Sequence, residues 1–215
     1  MSRDPLVGQP VERREDPALL TGRAEYVDDR HAPGMAHLSF HRSQYAHATV
    51  EGIETAAAAA MDGVLAVYTW ADLAAAGVPG VLPITSDLVD AAVPGHPILA
   101  RDRVRYQGQP IAAVVATDRY AARDAAAAVE VTYDRHEPVT DPDAALATDA
   151  PALYDAAPDN VALDWTVGDA DAVRAAMDKA EYVVERELTN NRLLASAIEP
   201  RAALARYDRG TERLT

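Results

Sequence analysis

The segment 104–134, VRYQGQPIAAVVATDRYAARDAAAAVEVTYD, limits the possible folds more than any other part of the chain. Val104 and Tyr106 alternate with polar residues, which is typical of a half-buried strand. The turn Gln107–Pro110 follows, and the unbroken apolar run Ile111–Ala116 predicts a strand that is buried on both faces. The first half of the segment therefore predicts two strands joined by a tight turn.

A helix and a third strand complete the segment. Asp118 is a favourable helix N-cap, and the alanine-rich stretch up to about Ala128 has high helix propensity. Val129, Val131 and Tyr133 then alternate with polar residues, as in another strand. Together these elements predict an α+β fold in which helices pack against a mixed sheet. They predict a fold and, by themselves, no chemistry.

The charge of the chain excludes one class of partner. Its 34 acidic and 20 basic side chains give a formal net charge of −14, whereas nucleic-acid binding requires a cationic surface. Lys179 is the only lysine. An acidic, lysine-poor and alanine-rich composition indicates either a halophilic protein, in which salt screens the self-repulsion, or a GC-rich genome. The sequence leaves both explanations open.

Cysteine and long apolar segments are both absent from the sequence, which narrows the class of protein further. The chain has no cysteine, so this segment cannot hold an iron–sulfur cluster, a disulfide or a Cys-ligated zinc ion. No stretch approaches 18 consecutive apolar residues, and the polar amino terminus resembles no secretory signal. We therefore expect a cytoplasmic protein without a membrane partner.

The chain resembles the large subunits of the molybdenum hydroxylases in four short motifs, which occur here in the same order as in that family. They are TGRAxYxD at 21–28, RSxxAHA at 42–48, the GQP turn at 108–110 and EPR at 199–201. The family comprises xanthine dehydrogenase, aldehyde oxidase and aerobic carbon monoxide dehydrogenase. The resemblance extends over roughly residues 8–215 and is slightly stronger to the carbon monoxide dehydrogenase branch at the EPR motif.

The resemblance implies a domain organisation. We expect an extended arm at 1–18, an a/b hammerhead domain at 19–147, a linker at 148–160, and at 161–215 an incomplete start of a molybdopterin-binding domain, with its first strands and helix. Strands are expected at 161–167, 182–188 and 202–207, and a hairpin turn at 208–211. A strand of four residues after that turn would pair poorly, which favours a fragment or a chain completed by a partner.

The resemblance also implies an activity. We expect the N-terminal portion of a large subunit that oxidises xanthine, an aldehyde or carbon monoxide, with molybdopterin as cofactor and with iron–sulfur and FAD subunits as partners. The family's catalytic glutamate and most of its pterin contacts lie beyond residue 215, so the segment alone should be inactive and carries no catalytic residue. The alternative is a non-catalytic assembly or binding module that keeps the hammerhead fold.

Three residues are candidates for contact with the cofactor. Gln109 could hold a polar edge through its amide, although a bond to the backbone explains it better. In xanthine dehydrogenase-like members a glutamine six residues before the EPR glutamate approaches the molybdenum centre, but Leu193 occupies that position here. Asn190 and Asn191 are the remaining candidates in that segment, and Glu199 is expected to form an ion pair within the domain.

No metal site is predicted. Four histidines fall within residues 31–47, but no metal-ligand spacing accompanies them. The acidic pairs at 141–143 and 169–171 lack the spacing of a calcium-binding loop, and helix capping explains both.

Overall fold

The protein is described by a computed structural model over residues 7–82, 92 and 95–215. These residues form two units by their contacts: the described residues up to Pro33 together with Val183–Thr215, called here the terminal unit, and Gly34–Tyr182, the central unit. Residues 1–6 of the predicted arm lie outside the described residues. The prolines and glycines between residues 78 and 97 predict a surface loop, and most of that stretch also lies outside the described residues. The predicted domain boundaries remain a prediction.

The described residues form short helices and strands in alternation. The helices are α1 Asp16–Leu20, α2 Ala56–Ala59, α3 Trp70–Ala75, α4 Arg119–Ala127, α5 Pro142–Ala145 and α6 Ala170–Met177, with a 3₁₀ turn at Val27–Asp29. The strands are β1 His37–Arg42, β2 Ala48–Glu54, β3 Val64–Tyr68, β4 Val81–Leu82, β5 His96–Pro97, β6 Arg103–Val104, β7 Pro110–Ala116, β8 Glu130–Arg135, β9 Tyr207–Asp208 and β10 Arg213–Leu214. None of the helices in the described part of the chain is long and apolar enough to cross a membrane.

Strand β7 is the centre of the first sheet, as its apolar run predicts. It lies between β1 and β3 and pairs antiparallel with both. Ala112 and Val114 are fully buried and pack with Ala125 and Ala126 of α4. Because the helix face consists of alanines, its backbone can approach the sheet closely.

A second sheet has the order β6-β2-β8, and all of its pairs are antiparallel. Its apolar face joins Ala48 and Val104 to Ile111 of β7 in a second buried cluster. The two clusters share partly buried neighbours, Ile53 and Val131. The two sheets therefore bury one connected core in the central unit.

The predicted helix caps are confirmed. The Asp118 carboxylate accepts hydrogen bonds from the backbone N–H groups of residues 120 and 121, at 2.8 and 3.0 Å. Asp141 caps α5 in the same way, and Asp169 caps α6 through one hydrogen bond, from the N–H of residue 172. Helix α1 begins inside the predicted arm, where Pro17 in the first turn suits a helix start.

The hairpin at the carboxyl end is also confirmed. Strands β9 and β10 pair antiparallel around the turn. The Asp208 carboxylate accepts hydrogen bonds from the backbone N–H groups of Gly210 and Thr211, at 2.9 and 3.0 Å. The bonds from Thr211, followed by that from Gly210, lower the pKa of Asp208.

Two predicted strands are absent from the structure, and a third is reduced to its end. Residues 161–167 and 182–188 form no strand, and of the strand predicted at 202–207 only Tyr207 lies in one, β9. Alternating apolar residues predict a strand, but the strand forms only where a neighbouring strand pairs with its N–H and C=O groups. The described residues supply no neighbouring strand for 161–167 and 182–188, whereas Arg206 exchanges two backbone hydrogen bonds with Thr215, both of 2.8 Å.

The α+β class is confirmed, but its sheet differs in detail. The described strands form separate antiparallel sheets, two of three strands and two of two strands, instead of one mixed sheet. Sequence periodicity indicates which faces of a strand are buried and contains no information on the direction of its neighbour.

The core at β7 yields a stability prediction. We expect Ile111→Ala to lower the free energy of unfolding by about 2–5 kcal/mol, because it leaves a cavity in the second buried cluster. The matched control is Leu65→Ala on β3, where the side chain is 60% exposed and the loss should stay within about 0.5 kcal/mol. Urea unfolding followed by tryptophan fluorescence measures both, since Trp70 and Trp165 belong to the central unit. Equal losses of stability in the two variants would contradict the assignment of Ile111 to the core.

The cap of α4 yields a second prediction. Asp118→Ala removes the acceptor for two N–H groups and should cost about 1 kcal/mol of stability in the same assay. Asp124→Ala, an exposed change in the same helix, is the control and should be neutral or slightly stabilising, since it removes a negative charge from the second half of the helix. A larger loss of stability from Asp124→Ala than from Asp118→Ala would show that Asp118 does not stabilise α4 as its N-cap.

Candidate functional site

The predicted turn around Gln109 is bound to the segment that follows β1. Gly108 has φ +88°, a conformation that residues with a Cβ atom rarely adopt. Its N–H donates to the Ser43 carbonyl at 2.8 Å, and the Ser43 N–H donates to the Gln109 carbonyl at 2.9 Å. The Arg42 guanidinium donates to the Gly108 carbonyl at 2.9 Å. The RSxxAHA and GQP motifs are therefore in direct contact.

The side chain of Gln109 faces the protein interior. It is 2% exposed, and its Oε1 accepts a hydrogen bond from the Arg105 backbone N–H at 2.7 Å. This bond closes the turn that leads from β6 to β7. The oxygen of the amide is therefore used by the backbone, and a contact between Gln109 and a cofactor remains a prediction.

The other two motifs meet in the terminal unit. The Glu199 carboxylate accepts a hydrogen bond from the Val27 backbone N–H at 3.1 Å, across 172 residues of sequence. We expected an ion pair for Glu199, and the structure gives it this backbone bond. A backbone N–H at a 3₁₀ turn is unpaired within the turn itself, which makes it available to a distant carboxylate.

A cavity of about 330 Å³ adjoins this contact. It is lined by Glu25, Tyr26, Val27, Arg30, Glu199, Ala202, Ala203 and Leu204. Arg30 lies 3.8 Å from the Glu25 carboxylate, and both side chains are largely exposed. The cavity thus combines two carboxylates with one guanidinium, and its formal charge is negative.

The predicted asparagines lie at the surface of the terminal unit. Asn190 and Asn191 are exposed, as is Leu193, at 90%. They belong to the terminal unit, whereas Gln109 belongs to the central unit. Their contact with a cofactor also remains a prediction.

The motif contacts were not foreseen from the sequence. Arg42 and Gly108 are 66 residues apart in sequence. No local sequence pattern predicts which distant turn the end of a strand will contact. The one usable signal was Gly108 itself, because a glycine between two strands indicates a position that needs positive φ.

Comparison with known proteins decides the family. The family model described as aldehyde oxidase and xanthine dehydrogenase, a/b hammerhead domain, matches residues 21–137, more than half of the chain. The chain belongs to the molybdenum hydroxylase family. A second model, molybdopterin cofactor-binding domain, matches residues 153–215. The family consists of oxidoreductases that use molybdopterin, so both the family and the class of cofactor agree with the sequence analysis.

Two curated relatives illustrate the match. The large subunit of nicotine 6-hydroxylase from Paenarthrobacter nicotinovorans is 37% identical over 211 residues, which are 97% of this chain and 25% of that protein. The carbon monoxide dehydrogenase large chain from Afipia carboxidovorans is 34% identical and is matched over 94% of this chain and 26% of its own length. The chain therefore spans about a quarter of the relatives it matches.

Solved structures support the same fold. Reconstituted CO dehydrogenase from Oligotropha carboxidovorans superposes with a TM-score of 0.67 at 36% identity, over 81% of this chain and 22% of that one. Quinoline 2-oxidoreductase from Pseudomonas putida 86 gives a TM-score of 0.59 at 37% identity, over 69% of this chain and 19% of that one. The hammerhead assignment therefore has both sequence and structural support.

The residues described here do not form a cradle for molybdopterin. The cofactor carries an anionic phosphate, whereas the cavity of the terminal unit has a negative formal charge. Within the described residues, no group of three His, Cys, Asp or Glu side chains is placed to hold a metal ion. Asn190 and Asn191 supply amide donors but no enclosing surface. We therefore derive no reaction step from this chain.

The buried amide yields a testable prediction. Gln109→Met keeps the length of the side chain but leaves the Arg105 N–H without its acceptor, which should cost about 1–3 kcal/mol of stability. The control is Gln107→Met, an exposed position in the same turn, which should change stability by no more than about 0.5 kcal/mol. Urea unfolding compares the two variants, and an equal effect would show that the bond contributes nothing.

Proposed function

We propose that this chain is the N-terminal portion of a molybdenum hydroxylase large subunit. It supplies the hammerhead domain and the beginning of the molybdopterin-binding domain, and it is catalytically inactive alone. The observation that carries the proposal is the succession of the two family matches, hammerhead then cofactor-binding, in a chain that covers about a quarter of each relative. We propose the domain boundaries given above from the sequence for the same reason.

The surface of the carboxyl-terminal segment supports assembly with further protein. Four large apolar side chains in the terminal unit are between 87% and 92% exposed: Leu188, Leu193, Leu194 and Ile198. Several such side chains within a dozen residues are typical of a surface that another part of a protein covers. The remainder of the large subunit is the proposed cover, and the same neighbour would supply partners for the strands that this segment lacks.

The partners and the substrate class follow the family. We propose iron–sulfur and FAD subunits as the electron-transfer partners, a cytoplasmic enzyme, and oxidation of a small molecule. The relatives named above act on nicotine and on carbon monoxide according to their names, and others are named xanthine dehydrogenase. This range does not select a substrate. The acidic, lysine-poor composition supports the further proposal of a halophilic source.

We propose Asn190 and Asn191 as cofactor contacts in the assembled enzyme, since both side chains are exposed and carry amide donors. Replacing both by alanine should lower the molybdenum content of the assembled enzyme. Thr189→Ala, an exposed neighbour, is the control and should leave the content unchanged. Gln109 is the weaker candidate, because its amide oxygen is already used.

The molybdenum content tests the proposed function. The protein purified from its native source should contain molybdenum, with the metal in a species larger than this chain. The same chain produced alone, in a host that makes molybdopterin, should bind no metal and oxidise no substrate. Elemental analysis of size-exclusion fractions gives both values.

The alternative function is a non-catalytic assembly module with a hammerhead fold. It predicts that the native protein is free of molybdenum even when it is bound to partners. A lone, metal-free monomer from the native source would overturn the enzyme proposal, as would full metal loading of the isolated chain.

A further inference from the structure

A pair of histidines lies where the chain leaves the β6-β2-β8 sheet. His47 immediately precedes β2, and His136 immediately follows β8. The His136 N–H donates to the His47 carbonyl at 3.0 Å, and the centroids of the two rings are 5.0 Å apart. His136 Nε2 lies 2.7 Å from the hydroxyl of Thr49. The pair shares this outer face of the sheet with Thr49, because Ala48 points to the opposite face, into the core.

The hydrogen bond of His47 determines which ring nitrogen carries the proton. Nδ1 lies 2.9 Å from the Glu137 carbonyl, which can only accept, so Nδ1 is the donor in this contact. Nε2 of the neutral ring is therefore unprotonated. This nitrogen is buried and has no hydrogen-bond partner among the described residues, and the whole of His47 is 5% exposed. A second proton on the ring would lie on a buried atom that has no acceptor, which is unfavourable.

The surroundings of His47 favour its neutral form for the same reason. Burial is the main cause that lowers the pKa of His47, and the hydrogen bond to the Glu137 carbonyl partly offsets it. Positive charge at His136, Arg103 and Arg105 lowers the pKa further. The ring therefore stays neutral, with its contact to residue 137 intact, at a pH where an exposed histidine is already protonated.

No charged side chain around the pair supplies the missing acceptor. The charged residues on the surrounding segments are Arg103 and Arg105 at β6, Asp134 and Arg135 of β8, and Glu137 and Asp155 after it. Arg135 belongs to the Ala48 face and donates to the Tyr45 hydroxyl. The three carboxylates are exposed, and that of Asp155 lies 3.9 Å from Arg103. Nε2 therefore has no buried counter-charge.

The chain beyond the pair is attached by groups of another kind. Arg105 Nε donates to the Leu153 carbonyl at 2.7 Å. The Asn160 amide donates to two carbonyl groups of the same stretch, at 3.0 and 3.1 Å. Arginine and amide side chains do not change charge near neutral pH, whereas histidine does. Residues 145–160 are thus held independently of pH, and residues 136–137 are held by His47.

We propose that His47 and His136 form a pH-sensitive clasp at the point where the chain leaves the sheet. The clasp is closed while His47 is neutral. A proton on His47 Nε2 opens it and frees residues 136–141, while residues 145–160 stay attached. The freed residues include the end of the hammerhead match, residue 137, and precede the cofactor-binding match, which begins at residue 153. The clasp therefore sets how much free chain joins the two matched regions, and it does not depend on the proposed enzymatic function.

The direction of the pH response follows from the proton balance. In the open clasp the His47 imidazole has the ordinary pKa of 6.5, and in the closed clasp its pKa is lower. Opening therefore takes up a proton in the pH range between these two pKa values. The closed clasp keeps its full stability above pH 6.5 and loses stability as the pH falls from 6.5 towards the lowered pKa.

The experiment is native-state hydrogen exchange of the chain, followed by NMR and corrected for the intrinsic effect of pH on exchange. The opening constant of the His136 N–H should rise at least about threefold between about pH 7.5 and 5, and by no more than about tenfold per pH unit, the limit for one proton. The Leu153 N–H, which donates to Asn160 Oδ1, and the amides of β7 should show no such rise.

One variant and one matched control test the role of His47. His47→Asn keeps an N–H donor near the position of Nδ1 but cannot take up a proton, so the opening constant of the His136 N–H should no longer depend on pH. His96→Asn removes an exposed histidine of the central unit and should respond to pH like the parent chain.

An imidazole titration of the parent chain by NMR tests the clasp without a variant, since His47 should titrate below 6.5. A pKa of His47 at or above 6.5 would overturn the proposal, as would an opening constant of the His136 N–H that does not change with pH. The same conclusion follows if the β7 amides lose protection by the same factor as His136, or if His47→Asn responds to pH like the parent chain.

Discussion

The burial of β7 on both faces is the interaction on which the central unit depends. Ala112 and Val114 pack toward α4 on one side, and Ile111 packs toward the β6-β2-β8 sheet on the other. A strand that is apolar on both faces is stable only between two covering layers, so it forces a helix and a second sheet to assemble around it. The turn before β7 takes its position from this arrangement.

The motifs that mark the family have a structural explanation in this chain. RSxxAHA and GQP meet through backbone hydrogen bonds of Ser43, Gly108 and Gln109, and TGRAxYxD and EPR meet through Val27 and Glu199. Each pair joins segments that are distant in sequence and lies within one unit. The residues that identify the family therefore hold loops in place.

Prediction from sequence succeeded where the signal was local. The caps Asp118, Asp141 and Asp169 bind N–H groups two or three residues away, and the Asp208 turn is equally short in range. It failed for residues 161–167 and 182–188, because a strand requires a partner whose presence no local pattern reports. For the candidate site the outcome was similar: a hydrogen bond between Gln109 and the backbone was predicted, whereas the contact between the His47 and His136 rings was not.

The sequence by itself determined the order of the elements, the burial of β7, the helix ends and the family. These properties depend on side chains within a few residues of one another, where the 2.0 and 3.6 residue periods and the capping rules apply. Only the tertiary structure decided that β6 and β8, the neighbours of β7 in sequence, pair with β2 in a different sheet from β7. It also decided that Arg103 pairs with Thr49 and Arg135 with Ala48. Strand pairing depends on which edges meet once the core has closed, and no single segment encodes that.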